Sequence, residues 1–116
     1  MWQKALQLNG GGTNGIPSLD FSIFRNSNGM YITLGNTKKV SVTYSWSGSN
    51  NTTYQNNLVI NGVKEDGTEV NVHTSITSQY AYSYTIELDV SAYEKLKLYS
   101  NLNYLQPTIG TITVIE

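Results

Sequence analysis

Side chains able to do chemistry at neutral pH are scarce in this chain of 116 residues, which has one histidine, no cysteine and eight Asp and Glu residues. A single histidine, His73, without thiolates is a poor basis for a zinc site, which wants four N, S or O ligands. No Ser, His and Asp fall at a spacing that suggests an acyl-transfer triad. A glycosidase needs two carboxyl groups facing each other across a cleft. Glu87 and Asp89 are two residues apart, so they share a strand face with Ser83 and Thr85, which is an outer surface and not a cleft. Glu65, Asp66 and Glu69 surround a turn, where solvated acids are ordinary. Asp20 and Asp89 could contribute to a calcium site, but neither lies in a loop dense in oxygen ligands. The glycine-rich run NGGGTNG at 9–15 lacks the Lys-Ser/Thr ending of a phosphate loop. The residues therefore predict a protein that is not an enzyme and uses no cofactor or metal. His73 follows Val70 and Val72, and strict alternation puts it on the outer face with Asn71.

The aromatic residues are more informative. In QYAYSYTIELDV, residues 79–90, Tyr80, Tyr82, Tyr84, Ile86 and Leu88 occupy every second position. One strand face thus carries three tyrosines and then two aliphatics. Tyr84, Ile86 and Leu88 lie mid-strand and are expected in the core. Tyr80 and Tyr82 lie at the strand's beginning, and Trp46 at the end of its own strand, beside SGSNNTT. If those strands are antiparallel neighbours, Trp46 comes to the same rim as Tyr80 or Tyr82, with Asn50 and Asn51 close by in sequence. Ring faces pack against the C–H face of a pyranose, and amides exchange hydrogen bonds with its hydroxyls. The expected ligand-binding residues are Trp46, Tyr80 and Tyr82 as stacking platforms and Asn50 and Asn51 as hydrogen-bonding partners. The same rings suit two other roles: cross-strand packing and protein contacts. Tyr54, Tyr99 and Tyr104 fit core edges, loop anchors or an interface patch.

The elements that position these residues read as strands throughout. No window keeps a helical apolar period. Alternation and turn residues predict strands at Trp2–Leu8, Leu19–Arg25, Met30–Leu34, Lys39–Trp46, Tyr54–Asn61, Val70–Val72, Gln79–Val90, Lys95–Ser100 and Ile109–Ile115. VKEDGTEV predicts a hairpin with Asp66-Gly67 at its turn. HTSITS reads as a loop or an edge, and Ser91–Glu94 as one short turn. Two face-to-face antiparallel sheets would bury Val40, Val42, Ile86, Leu88, Leu96, Leu98, Ile112 and Val114 together. The predicted fold is all-β, a single antiparallel β-sandwich domain over residues 1–116. A jelly roll is preferred and an immunoglobulin-like sandwich second. The run 9–15 is read as a flexible loop, and the domain as either a whole protein or one cut from a larger protein.

The stretch YTIELDVSAYEKLKLYSN, with GTITVIE at the end, resembles the closing strands of jelly-roll modules of the galactose-binding-like and carbohydrate-binding type. Such modules are often attached to phage tail, baseplate and prophage proteins. Asp89, Val90 and Ser91 match their strand-ending turn, Tyr93 the aromatic that follows, and Leu96 and Leu98 the next alternating strand. The resemblance covers about a third of the chain. It implies a non-catalytic binding or structural module and carries over no individual ligand residue.

Only 13% of residues are charged and the formal net charge is −1, so nothing favours nucleic acid or an anionic membrane as partner. No stretch approaches the roughly 20 apolar residues of a membrane span. The expected function is recognition of a cell-surface glycan by a module of a phage tail, baseplate or bacterial surface protein, extracellular or virion-borne. The alternative is an assembly module whose aromatic surface packs against virion proteins or copies of itself, in line with the depletion of charge at interface cores.

Overall fold

Lys39–Trp46 alternates small polar residues with Val40, Val42, Tyr44 and Trp46, and this is the pattern of a strand with one buried face. In the computed structural model it forms a strand with those bounds. Residues 6–8, 18–23, 29–46, 57–76, 82–100 and 108–115 are described. They contain nine strands: β1 Gln7–Leu8, β2 Ser18–Ile23, β3 Met30–Thr33, β4 Lys39–Trp46, β5 Asn57–Val63, β6 Glu69–Ile76, β7 Tyr82–Asp89, β8 Lys95–Tyr99 and β9 Thr108–Val114. The expected strand starts at Trp2, Tyr54 and Gln79, and the loop at 9–15, lie outside the described residues.

The strands form a five-stranded sheet in the order β1-β3-β8-β5-β6 and a four-stranded sheet in the order β2-β9-β4-β7. Every pairing is antiparallel. From β2 to β9 the chain crosses between sheets at each connection except β5–β6, and this is the doubly wound order of a jelly roll. An immunoglobulin sandwich groups its strands as ABED and CFG; that second choice is overturned by the observed order.

The one hairpin within a sheet joins β5 to β6 where Asp66-Gly67 predicted it. Gly67 has φ of +90°, and its amide donates to the carbonyl of Lys64 at 2.9 Å. Asp66 Oδ1 accepts from the amide of Thr68 at 2.9 Å, the local bond that makes Asp a turn residue. The turn after β7 is built the same way. Asp89 Oδ1 accepts from the Ser91 hydroxyl at 2.7 Å and from its amide at 3.0 Å. Those bonds hold the Asp89 carboxyl below the usual carboxylate range.

Between the sheets, side chains line up in rows across the strands. In the four-stranded sheet Leu19, Ile112, Val42 and Ile86 form one row, and Phe21, Gly110, Tyr44 and Tyr84 the next. In the five-stranded sheet the rows are Ile32, Leu96, Gly62, Val70 and Met30, Leu98, Ile60, His73. The expected core residues Val40, Val42, Leu88, Leu96, Leu98 and Ile112 are buried, with Ile86 and Val114 packed against them half-buried. Gly62 makes room for the Tyr93 ring, whose Cγ lies 2.5 Å from where a Cβ would stand. An interior strand glycine commonly marks such a close approach.

Two expectations fail here. His73 is not on the outer face. The β5–β6 register shifts between Ile60 and Asn61, so that Ile60 pairs with His73 while Asn61 pairs with Asn71. Val72 is thus the extra residue of a β-bulge, and a bulge reverses which face the following residues occupy. Beyond it His73 and Ser75 turn inward. Tyr84 is not a core residue either: it remains 45% exposed. Its row places it facing inward beside Tyr44, but β7 is the outer strand of its sheet, and among the described residues no further strand lies beside it.

Candidate functional site

The strand ends bring one set of residues together. Ile23, Trp46, Tyr82 and Thr108 lie at one end of the four-stranded sheet. Met30, Asn57, Ile76 and Tyr99 lie at the corresponding end of the other. Trp46 pairs directly with Tyr82 across β4 and β7, which places two of the five expected binding residues opposite one another, as the antiparallel reading requires. Tyr80, Asn50 and Asn51 lie outside the described residues.

Near that end, Tyr44 bridges the two sheets. It is buried to 3% exposure, and its hydroxyl lies 3.0 Å from Nε2 of His73. The two rings meet edge to face at 5.9 Å, and Tyr84 lies against Tyr44 at the same centroid distance. Burial pushes the Tyr44 phenol up, opposed by a hydrogen bond with Ser75 and reinforced by Tyr84. Burial also pushes the His73 imidazole down. A neutral His73 accepts the phenol proton at Nε2 in its Nδ1–H tautomer and donates to the phenol oxygen in the other, and burial disfavours the charged ring in either case. The unfolded chain therefore takes up a proton at His73 more readily than the folded one, so its stabilising contribution is intact above the ordinary histidine pKa of about 6.5 and declines as pH falls below it. Urea midpoints should be lower at pH 5.5 than at pH 7.5, above the carboxylate range. His73→Gln should flatten that difference, and an unchanged difference in the variant would refute the assignment.

The outer faces of the two sheets differ in chemistry. On the four-stranded sheet, Asp20, Thr111, Thr43 and Thr85 form one row and Ser22, Ile109, Ser45 and Ser83 another. Thr43 and Thr85 share a hydroxyl hydrogen bond of 3.0 Å, and Thr111 donates to Asp20 Oδ1 at 2.8 Å. A shallow depression of about 380 Å³ lies over this face, lined by hydroxyls with Asp20 and the half-exposed Ile109. Its outward positions carry no aromatic ring to stack on a ligand.

The five-stranded sheet presents rings, a cation and amides. Tyr31, Lys97, Asn61 and Asn71 form an outward row across β3, β8, β5 and β6, with Tyr99, Val59 and Thr74 in the row beside it, where Val59 is itself buried. The Lys97 ammonium lies 5.8 Å from the Tyr31 ring centre and 5.1 Å from that of Tyr99, both within cation–π range. Asn61 donates to Glu69 Oε1 at 3.1 Å, and Asn71 donates to Asn61 Oδ1 at 3.0 Å and to Thr74 Oγ1 at 3.1 Å. These bonds fix the amide row in register beside Lys97. Tyr31 was not singled out from the sequence, and Tyr99 only as an edge, anchor or interface residue. The strand alternation MYIT and KLKLY could have found the pair, since each puts its aromatic opposite to its buried aliphatics.

Among the described residues no group of three His, Asp or Glu side chains stands close enough to hold a metal ion, and no helix is long and apolar enough to cross a membrane.

No protein-family model matches the chain, and no curated protein matches its sequence. Solved structures do share its fold. The CBM22-1 xylan-binding domain from Paenibacillus barcinonensis Xyn10C aligns with TM-score 0.52 at 10% identity, covering 96% of this chain and 82% of that one. The xylan-binding module CBM15 aligns with TM-score 0.50 at 12% identity, covering 96% and 91%. The CBM22-1–GH10 modules of Clostridium thermocellum Xyn10B, complexed with xylohexaose, align with TM-score 0.52 at 12% identity; 97% of this chain matches 25% of that one. The chain thus has the β-sandwich fold of these carbohydrate-binding modules. At such identities the likeness is one of fold, and it assigns no residue of this chain a role.

Proposed function

We propose that the domain is a non-catalytic recognition module for polysaccharide. The observation that carries this reading is the outward tyrosine pair of the five-stranded sheet: Tyr31 and Tyr99, in neighbouring rows, flank Lys97 on a face kept in register by the Asn61–Asn71 network. Rings on a rigid sheet stack on sugar C–H faces at little entropic cost. Fold likeness to xylan-binding modules supports the same reading. Trp46 and Tyr82, paired across β4 and β7 at one end of the four-stranded sheet, are proposed with Tyr80, Asn50 and Asn51 as a second contribution, separate from the tyrosine face. The setting we infer, a phage tail or bacterial surface protein, rests on the charge-poor composition and on the sequence resemblance of the C-terminal third.

Retardation in native gels cast with a panel of soluble polysaccharides tests the reading. Wild-type protein should be slowed by at least one of them. Tyr31→Ala should lose about tenfold in affinity, the equivalent of about 1.4 kcal/mol, while its thermal melt stays close to wild type. Unretarded wild-type migration on every polymer, together with a stable dimer or trimer by light scattering, would favour an assembly module instead.

A further inference from the structure

We infer that the tyrosine face selects a polysaccharide bearing carboxylate groups, a polyuronate, with Lys97 as the residue that reads the charge. This rests on the glycan-binding reading above and adds the ligand's chemical class. Most polar groups on this face already have partners within it. Asn71 Nδ2 is directed at Asn61 Oδ1, Thr74 Oγ1 and the carbonyls of Ile60 and His73. Asn71 Oδ1 accepts from Thr74. Asn61 uses its oxygen on Asn71 and its nitrogen on Glu69. The amides are thus engaged with one another, and the Glu69 carboxylate is held by Asn61.

Lys97 differs from them. Among the described residues no carboxylate lies within ion-pair distance of its ammonium; the pair found there is Lys39–Glu87, on the opposite sheet. Its contacts are the two tyrosine rings. A ring face attracts a cation but accepts none of its three N–H bonds in the directional way an oxygen does. An ammonium beside two tyrosine rings is therefore a donor whose best remaining partner is an anionic oxygen supplied from outside, because charge-assisted hydrogen bonds are roughly twice as strong as neutral ones. The balance of charge on the two faces agrees. The tyrosine face carries Lys95 and Lys97 against Glu69, whereas the hydroxyl face carries Asp20, Glu87 and Asp89 against Lys39. A ligand with carboxylates is drawn to the first face and repelled by the second, although the chain as a whole has a formal net charge of only −1.

The test compares polygalacturonate and alginate with their methyl esters, in which the same backbones lose their charge, and with neutral xylan. Titrations use the whole 116-residue chain. The expected result is binding to at least one polyuronate at least tenfold tighter than to its methyl ester, weakening as sodium chloride rises from about 50 to 500 mM, within the range where screening shortens sharply. Lys97→Met keeps an unbranched stem against the rings and should remove most of that preference while leaving the fold's melting temperature near wild type. Lys97→Arg should retain the preference. Equal affinity for acid and ester, or a preference that survives Lys97→Met, would overturn the charge-reading role while leaving glycan binding standing. Failure to bind any of the polymers, charged or neutral, would overturn both.

Discussion

Gly110→Val is expected to destabilise the domain by about 3 kcal/mol, a large share of the roughly 5–15 kcal/mol that holds a domain of this kind together. Gly110 lies between Phe21 and Tyr44 in the inner row of the four-stranded sheet. A Cβ at this position would stand 2.5 Å from Phe21 Cζ and 2.5 Å from the Thr43 carbonyl oxygen. The ring could turn aside at the expense of its own packing. The carbonyl belongs to β4, which pairs with both β9 and β7, so it can retreat only by disturbing that ladder. Valine adds two methyl groups to the same collision. At about 4 °C per kcal/mol for a domain of this size, the melting temperature should fall by roughly 12 °C. Gly110→Ala should already show part of the loss. A melt within 2 °C of wild type for the valine variant would mean that Phe21 and β4 do not close over this position as described.

Leu98→Ala acts from the other sheet by the opposite mechanism. Leu98 has no exposed surface and lies in the inner row between Met30 and Ile60. Truncation leaves a cavity that the row cannot close, because its neighbours are fixed by pairing on both sides. The expected cost is about 3 kcal/mol, within the usual range for a buried leucine. The lowered urea midpoint should come with an unchanged slope. The same strand carries Lys97 and Tyr99 on its outer face, so the variant also separates stability from recognition. Well below its melting point it should still hold the polysaccharide that wild type binds. Loss of binding in the folded variant would show that the outer row depends on the core packing behind it.

Most of the fold could be read from the sequence because one side of nearly every strand is buried, and burial imposes a two-residue period. Lys39–Trp46 has its predicted bounds. The hairpin lies where Asp66-Gly67 placed it, since a glycine at positive φ and an aspartate bonded to a neighbouring amide are chemical requirements of the turn. His73 escaped because periodicity fails at a bulge. Val72 is an inserted residue that no local composition marks, and every position beyond it on β6 reverses face. Tyr84 escaped for a different reason. Alternation gives the direction of a side chain but not whether another strand lies alongside, and the outer position of β7 is a property of topology. The tyrosine face was legible in part. The pattern of β3 and β8 sends Tyr31 and Tyr99 outward, but only the register of β8 between β3 and β5 places Lys97 between their rings and Asn61 beside it. The pairing of Trp46 with Tyr82 followed from taking the two strands as antiparallel neighbours.

The central claim is that polysaccharide binds the tyrosine face of the five-stranded sheet, and backbone amide shifts of ¹⁵N-labelled protein during titration with a polymer that retards it in gels test this most directly. The largest changes should fall on Tyr31, Asn61, Lys97 and Tyr99, with the hydroxyl face at Asp20, Thr43 and Thr111 left unmoved. Changes centred on Asp20, Thr43 and Thr111 instead, with Tyr31 and Lys97 unmoved, would contradict it.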